Sequence, residues 1–238
     1  MISSVVERFV HIEDVRGSNP LSPTICPFPN RTRPPQMTCP ELYILRHGET
    51  IWNREGRMQG ALDSALTDLG QAQARAMGAL LAGVDLTGHR LYCSPLGRAR
   101  ATAALAFDRR PILDPRLREI EVGLWTGLTR PDILARWPGA NEDEDMLEFY
   151  ARAPGGEGFA ALWDRVSAFL ADLTGPAVIV THGVTSRFLR TAALGLTPAD
   201  LNGVPGGQGV IFRLRDGAHE VLIPNGLQPA LTAAKAVI

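Results

Sequence analysis

Three short segments of this chain hold side chains that together suit a phosphoryl group. Arg46-His47-Gly48 closes the apolar run "ELYILR", Ser94-Pro95 with Arg98 follows "HRLYC", and Thr181-His182-Gly183 closes "PAVIV". A guanidinium stays charged and binds phosphate oxygens in pairs. A neutral imidazole is a competent nucleophile at physiological pH. Phosphoryl transfer asks mostly for positioning and for charge around in-line oxygens. Arg46, Arg98 and a protonated His182 would supply that charge without a metal. A carboxylic acid must then protonate the leaving oxygen and later deprotonate the attacking water. No His/Cys/Asp/Glu spacing suggests a metal site, and no cofactor is expected.

These residues meet only if the right elements carry them. Apolar runs of strand length lie at 41–46, 89–94 and 176–183, with a shorter one at 111–114. Residues 66–83 form an amphipathic helical pattern with Thr67 as N-cap and Gly83 at its end. A second helix is expected over 94–107, with Ser94 as N-cap and Pro95 at the first helical position. Further helices are expected at 128–137, 142–152, 156–173 and 184–196, and a polar loop through Asp63. Residues 209–225 read as a hairpin around Asp216-Gly217. Strands alternating with helices predict an α/β fold: three layers, α/β/α, around a mostly parallel sheet, with the hairpin as an antiparallel edge. In such sheets ligands bind beyond the carboxyl ends of the strands. All three chemical segments fall there, and each precedes a helix start that favours anions.

Composition narrows the partners. The 238 residues carry 24 Lys+Arg and 25 Asp+Glu, a net charge of −1, which offers no bulk attraction to nucleic acid or to an anionic membrane. Cys26, Cys39 and Cys93 make no CxxC pair and their odd count argues against a disulfide framework, so a cytoplasmic setting is expected. Apolar stretches fall short of the roughly 20 residues a membrane helix needs. Residues 1–36, dense in Pro, Ser, Arg and Asn, read as disordered or as a mis-assigned extension ahead of Met37. "VRGSNPLSPT" within them resembles the conceptual translation of a transfer-RNA gene. Residues 37–238 then read as one domain.

The motifs "LRHGET-x-W-N", "GRMQG", "D-x-x-LT-x-x-G-x-x-QA", "SPLGRARATA", "LRE-x-x-x-G-x-W-x-G" and "VTHG" run in order from Tyr43 to about Leu196. Together they resemble the histidine phosphatase superfamily, the phosphoglycerate mutase-like family. The resemblance implies that fold and a phosphohistidine intermediate. It implies His47 as the nucleophile, Arg46, Arg98 and His182 around the phosphoryl oxygens, and Glu119 of "LRE" as the general acid. It places Asn53, Gln59 and Gly60 in the substrate-contacting loop. Two departures bear on specificity. The family often shows "G-x-W-E-G" where this chain has Gly123-Leu124-Trp125-Thr126-Gly127, and "GGES" where it has Gly155-Gly156-Glu157-Gly158.

Neighbours compete for some roles. Arg100 and Arg116 compete with Arg98, but Arg100 lies two residues along the same helix and points elsewhere. Glu121 competes with Glu119, which the family's four-residue spacing to Gly123 selects. Gly48 is expected to allow close approach of a ligand. Trp52, Trp125, Trp137 and Trp163 are expected to pack. His11, His89 and His219 are expected at the surface, and "NEDED" (141–145) as a solvated acidic segment. The first functional expectation is a metal-independent phosphomonoesterase acting on a small phosphorylated metabolite. A cofactor-dependent phosphoglycerate mutase comes second: Met58-Gln59-Gly60-Ala61 lacks the tryptophan of the mutases' "N-R-F-x-G-W". A phosphoryl-binding regulatory module with little turnover comes third. Sugar phosphates, phosphoglycerates and a riboside phosphate stay open as substrates, and a homodimer is compatible with the sequence.

Overall fold

The computed structural model describes residues 24–25, 39–137, 139, 145–226 and 230–232. Its strands are Thr24–Ile25 (β1), Leu42–Arg46 (β2), Arg90–Cys93 (β3), Ile112–Leu113 (β4), Ala177–Thr181 (β5), Gly206–Gln208 (β6), Ile211–Arg215 (β7), Ala218–Leu222 (β8) and Ala230–Thr232 (β9). Its α-helices are Ile51–Arg54 (α1), Asp68–Ala82 (α2), Gly97–Ala106 (α3), Arg130–Arg136 (α4), Met146–Ala151 (α5), Gly158–Ala171 (α6) and Gly183–Ala193 (α7). The sheet order is β1-β8-β7-β2-β5-β3-β4, with β6 and β9 paired separately. β2, β5, β3 and β4 run parallel, and β7, β8 and β1 extend the sheet antiparallel.

Alternation along the buried strands builds two cores. Leu42, Ile44, Ala177 and Ile179 face a core shared with Phe169 of α6 and Phe188 of α7. Tyr43, Leu45, Val178 and Val180 face the opposite one, with Met77 of α2 and Ala99 of α3. This is the three-layer α/β/α arrangement expected, because strands covered on both faces are apolar throughout. The hairpin also forms: Asp216 and Gly217 take φ of 50° and 76°, the left-handed pair a two-residue turn requires.

Several local expectations are corrected. The polar loop after β2 contains α1, closed by a capping box in which Thr50 accepts from the Asn53 amide. α3 starts at Gly97 rather than directly behind Ser94, whose Oγ accepts from the Leu96 amide at 3.3 Å ahead of the helix and lies 2.7 Å from His182 Nε2. Asp63 caps α3 instead, accepting from the amides of Gly97 at 2.6 Å and Arg98 at 3.1 Å. Gly48 serves a close backbone contact with α2: a Cβ there would lie 2.1 Å from the Gly70 carbonyl oxygen. His89 and His219 are buried, not surface residues. His89 lies against Tyr43 and near Glu41, and His219 stacks on Phe212 beside Arg190. His11 lies outside the described residues, as do residues 141–144 of the acidic run. Asp145 is the N-cap of α5. Within residues 1–36, Thr24–Ile25 pairs with β8, and the rest lies outside the described residues.

Candidate active site

Strand order brings the chemistry together. β5 lies between β2 and β3, so their carboxyl ends are neighbours. The ladder continues past them: the His47 amide donates to the Thr181 carbonyl at 2.9 Å, and the Ser94 amide to the Val180 carbonyl at 2.9 Å. The rings of His47 and His182 then lie 5.2 Å apart, both almost fully buried.

The His47 tautomer follows from its contacts. Nδ1 lies 2.8 Å from the Gly48 carbonyl oxygen, which can only accept, so Nδ1 carries the proton. Nε2 keeps its lone pair and accepts from Arg98 Nε at 3.3 Å. Burial, then the charges of Arg46 and Arg98, hold the ring well below the ordinary histidine range, with the Gly48 bond opposing. His47 is therefore neutral with Nε2 unprotonated, the state a nitrogen nucleophile needs.

Arg98, from α3, is clamped. Its Nη1 donates to the Leu62 carbonyl at 2.6 Å and to Asp63 Oδ1 at 2.9 Å, and its Nη2 to the Gly60 carbonyl at 2.9 Å. Arg46 is the opposite case. Its side chain makes no hydrogen bond among the described residues, and its Nε is buried without a partner. Burial weakens its charged form most, and the charge of Glu119 supports it. Glu119 itself is fixed at the start of α7. It accepts from the amides of Ile120, Val184 and Thr185 and lies 3.0 Å from the Thr185 hydroxyl.

His182, the N-cap of α7, is also neutral: burial first, then Arg98, His47 and Arg46, hold it well below the ordinary range. That corrects the expectation of a protonated His182. Its Nε2 lies 2.7 Å from Ser94 Oγ, and its Nδ1 is buried with no partner. Of the expected substrate contacts, Asn53 uses Oδ1 internally, accepting from the Thr50 amide and from Gln208. Gln59 donates to Thr50 and leaves its buried Oε1 without a partner. The Gly60 carbonyl accepts from Arg98 Nη2. The competing residues fall elsewhere: Arg116 pairs with Asp114 and Asp172, and Glu121 lies near Arg118.

Sequence reasoning missed Asp63, Gln208 and Tyr150, and gave Ser94 the role of a helix cap rather than a partner of His182. Asp63 and Ser94 stood inside the quoted motifs, but their partners are far apart in sequence. Gln208 donates to the His47 carbonyl at 3.1 Å and carried no signal. Tyr150 reaches the charge field of Glu119, Arg46 and Arg98 from α5. Burial first, then Glu119, push its phenol up to about 12. Among the described residues no group of three or more His, Cys, Asp or Glu could hold a metal ion, and no helix is long and apolar enough to cross a membrane.

A neutral histidine with an unprotonated Nε2, ringed by two guanidiniums and a fixed carboxyl group, is a setting suited to phosphoryl chemistry. The chain belongs to the histidine phosphatase superfamily (branch 1), whose profile matches residues 42–221. It is 36% identical over 169 residues to a probable phosphoglycerate mutase GpmB of Enterobacter sp. (strain 638), covering 66% of this chain and 75% of that protein. It is 32% identical over 168 residues to phosphoserine phosphatase 1 of Hydrogenobacter thermophilus, covering 66% and 77%. Among solved structures, the alpha-ribazole phosphatase of Shigella flexneri superposes with a TM-score of 0.64 at 26% identity, covering 79% of this chain and 99% of that one.

Proposed function

We propose that the protein is a metal-independent phosphomonoester hydrolase that works through a phosphohistidine on His47. The observation that carries this reading is the unmet demand for an anion beside an unprotonated histidine nitrogen. Arg46 Nε and His182 Nδ1 are buried without partners within the same cluster as His47 Nε2. Unsatisfied buried polar atoms are costly, and a phosphate oxygen would satisfy both.

In this mechanism His47 Nε2 attacks phosphorus and the bond from phosphorus to the ester oxygen breaks. Glu119 enters the cycle as the carboxylic acid and gives its proton to the leaving oxygen, which departs as an alcohol. Water then attacks the phosphohistidine, Glu119 takes its proton, and the N–P bond breaks to release inorganic phosphate and restore the lone pair. Arg46 and Arg98 stabilise charge on the equatorial oxygens throughout.

The test is release of p-nitrophenol from p-nitrophenyl phosphate in the presence of a chelator. Turnover is expected in the wild type, and His47→Ala should abolish it together with an acid-labile phosphoenzyme. Activity surviving in His47→Ala would overturn the reading. The relative named a probable phosphoglycerate mutase supports a second reading, in which an organic hydroxyl replaces water as acceptor. Interconversion of 2- and 3-phosphoglycerate faster than their hydrolysis would favour it. A screen of sugar phosphates, phosphoserine and riboside phosphates would identify the substrate.

A further inference from the structure

We propose that Ser94 is a positioning residue that fixes His182 in its Nδ1-protonated tautomer, so that the imidazole offers a neutral N–H to a phosphoryl oxygen. The inference rests on the phosphoryl-transfer reading of the site.

Ser94 follows β3 directly and is fully buried. Its Oγ lies 2.7 Å from His182 Nε2 and accepts from the Leu96 amide at 3.3 Å. A hydroxyl has one proton to give. The Leu96 amide is a donor and cannot take it, which leaves Nε2 of His182 as the acceptor. With Nε2 accepting, the single proton of the neutral ring sits on Nδ1. That atom is buried and has no partner. The other tautomer fails twice: the Ser94 proton would have no acceptor among the described residues, and Nδ1 would turn a lone pair towards an anion.

The groups facing His182 come from every side and oppose a second proton on it. They are Arg46 and His47 at the end of β2, Arg98 on α3 and Arg165 on α6. A neutral donor is therefore the form in which His182 can bind an oxygen without adding charge to a crowded cationic cluster. Ser94 selects that form from behind the ring, away from the unpartnered nitrogen.

The experiment is nitrogen NMR of protein carrying 15N-labelled histidine, with the His182 signals assigned from their loss in His182→Gln. A protonated-type Nδ1 and an unprotonated-type Nε2 are expected, with the Nδ1 proton moving downfield when inorganic phosphate is added. Ser94→Ala should give mixed tautomers and lower kcat/KM for p-nitrophenyl phosphate about tenfold. A His182 proton found on Nε2 in the wild type overturns the proposal. So does a Ser94→Ala variant whose tautomer and kcat/KM are unchanged. If Ser94→Ala does not fold, the wild-type spectrum still decides. The spectrum is read without turnover, so an inactive protein with the proton on Nδ1 would count against the hydrolase reading and for the assignment.

Discussion

Acidification should destabilise this protein through histidines that folding keeps neutral, and His219 offers the cleanest measure because it lies outside the candidate site. Burial, then the charge of Arg190, holds its ring down at about 3. The unfolded chain binds a proton near the ordinary value of about 6.5. Below that pH the unfolded state holds more protons than the folded one, so stability rises with pH and is lost as pH falls. The loss begins near 6.5 and ends only near the folded value. From pH 7 to pH 5 the unfolded state gains a factor of about 25 in its protonation equilibrium, which corresponds to about 2 kcal/mol for one histidine. His47 and His182 are held low in the same direction and add losses of the same sign. Against a total of roughly 5–15 kcal/mol for a typical domain, this is a large share. His219→Gln removes the titration but keeps an acceptor for Arg190 Nη1, which lies 3.2 Å from the histidine Nε2. Urea unfolding at pH 7, 6 and 5 should show the variant losing about 2 kcal/mol less than the wild type over that range. Phosphate-free buffer is required, since an anion bound to the folded state would add its own stabilisation. Equal pH dependence in the two proteins would refute the argument.

Arg46→Met should lower kcat for p-nitrophenyl phosphate by about 10²–10³ while leaving thermal stability unchanged or higher, because it removes a buried Nε that has no hydrogen-bond partner among the described residues. Asp63→Ala should remove both the α3 cap and an Arg98 partner, costing about 1–2 kcal/mol in denaturant unfolding and roughly tenfold in kcat/KM. Gly70→Ala would place a Cβ 2.0 Å from the Glu49 carbonyl oxygen, so a loss on the order of 3 kcal/mol or more is expected by the same unfolding assay.

The sequence displayed the sheet plainly because β2 and β5 are buried on both faces and read as continuous apolar runs. It displayed the chemical residues because they sit at strand ends, where backbone geometry alone places them. It hid whatever depends on a distant partner. Ser94 looked like a helix cap, since Ser-Pro before a helical pattern is a good local signal, but its hydroxyl also meets a histidine far along the chain. Asp63 takes over that cap from a separate loop. His219 looked exposed because a histidine flanked by Ala218 and Glu220 in a terminal hairpin carries no local mark of burial. α7 and Phe212 cover it only once the sheet is assembled. Gly48 also makes a close approach to α2 that nothing local in the sequence announces.

The two arginines of the site are not equivalent, and the difference bears on how the proposed reaction would run. A guanidinium has five N–H groups. Arg98 commits Nε to His47, both hydrogens of Nη1 to Leu62 and Asp63, and one hydrogen of Nη2 to Gly60, which leaves one. Arg46 commits none of its own among the described residues, its Nε being buried without a partner there. An incoming phosphate would therefore find its bidentate partner in Arg46 and a single fixed donor in Arg98. The bond from Arg98 Nε to His47 Nε2 also occupies the lone pair that must attack. If a phosphoryl oxygen takes over that N–H, binding and release of the nucleophile become one event, and the lone pair is exposed only when an electrophile is present. Arg98→Lys tests this, because an ammonium cannot reproduce the fixed fork. The variant should bind phosphate with modest loss and suffer its main deficit in kcat. A loss confined to KM would show that Arg98 contributes charge and nothing to the timing.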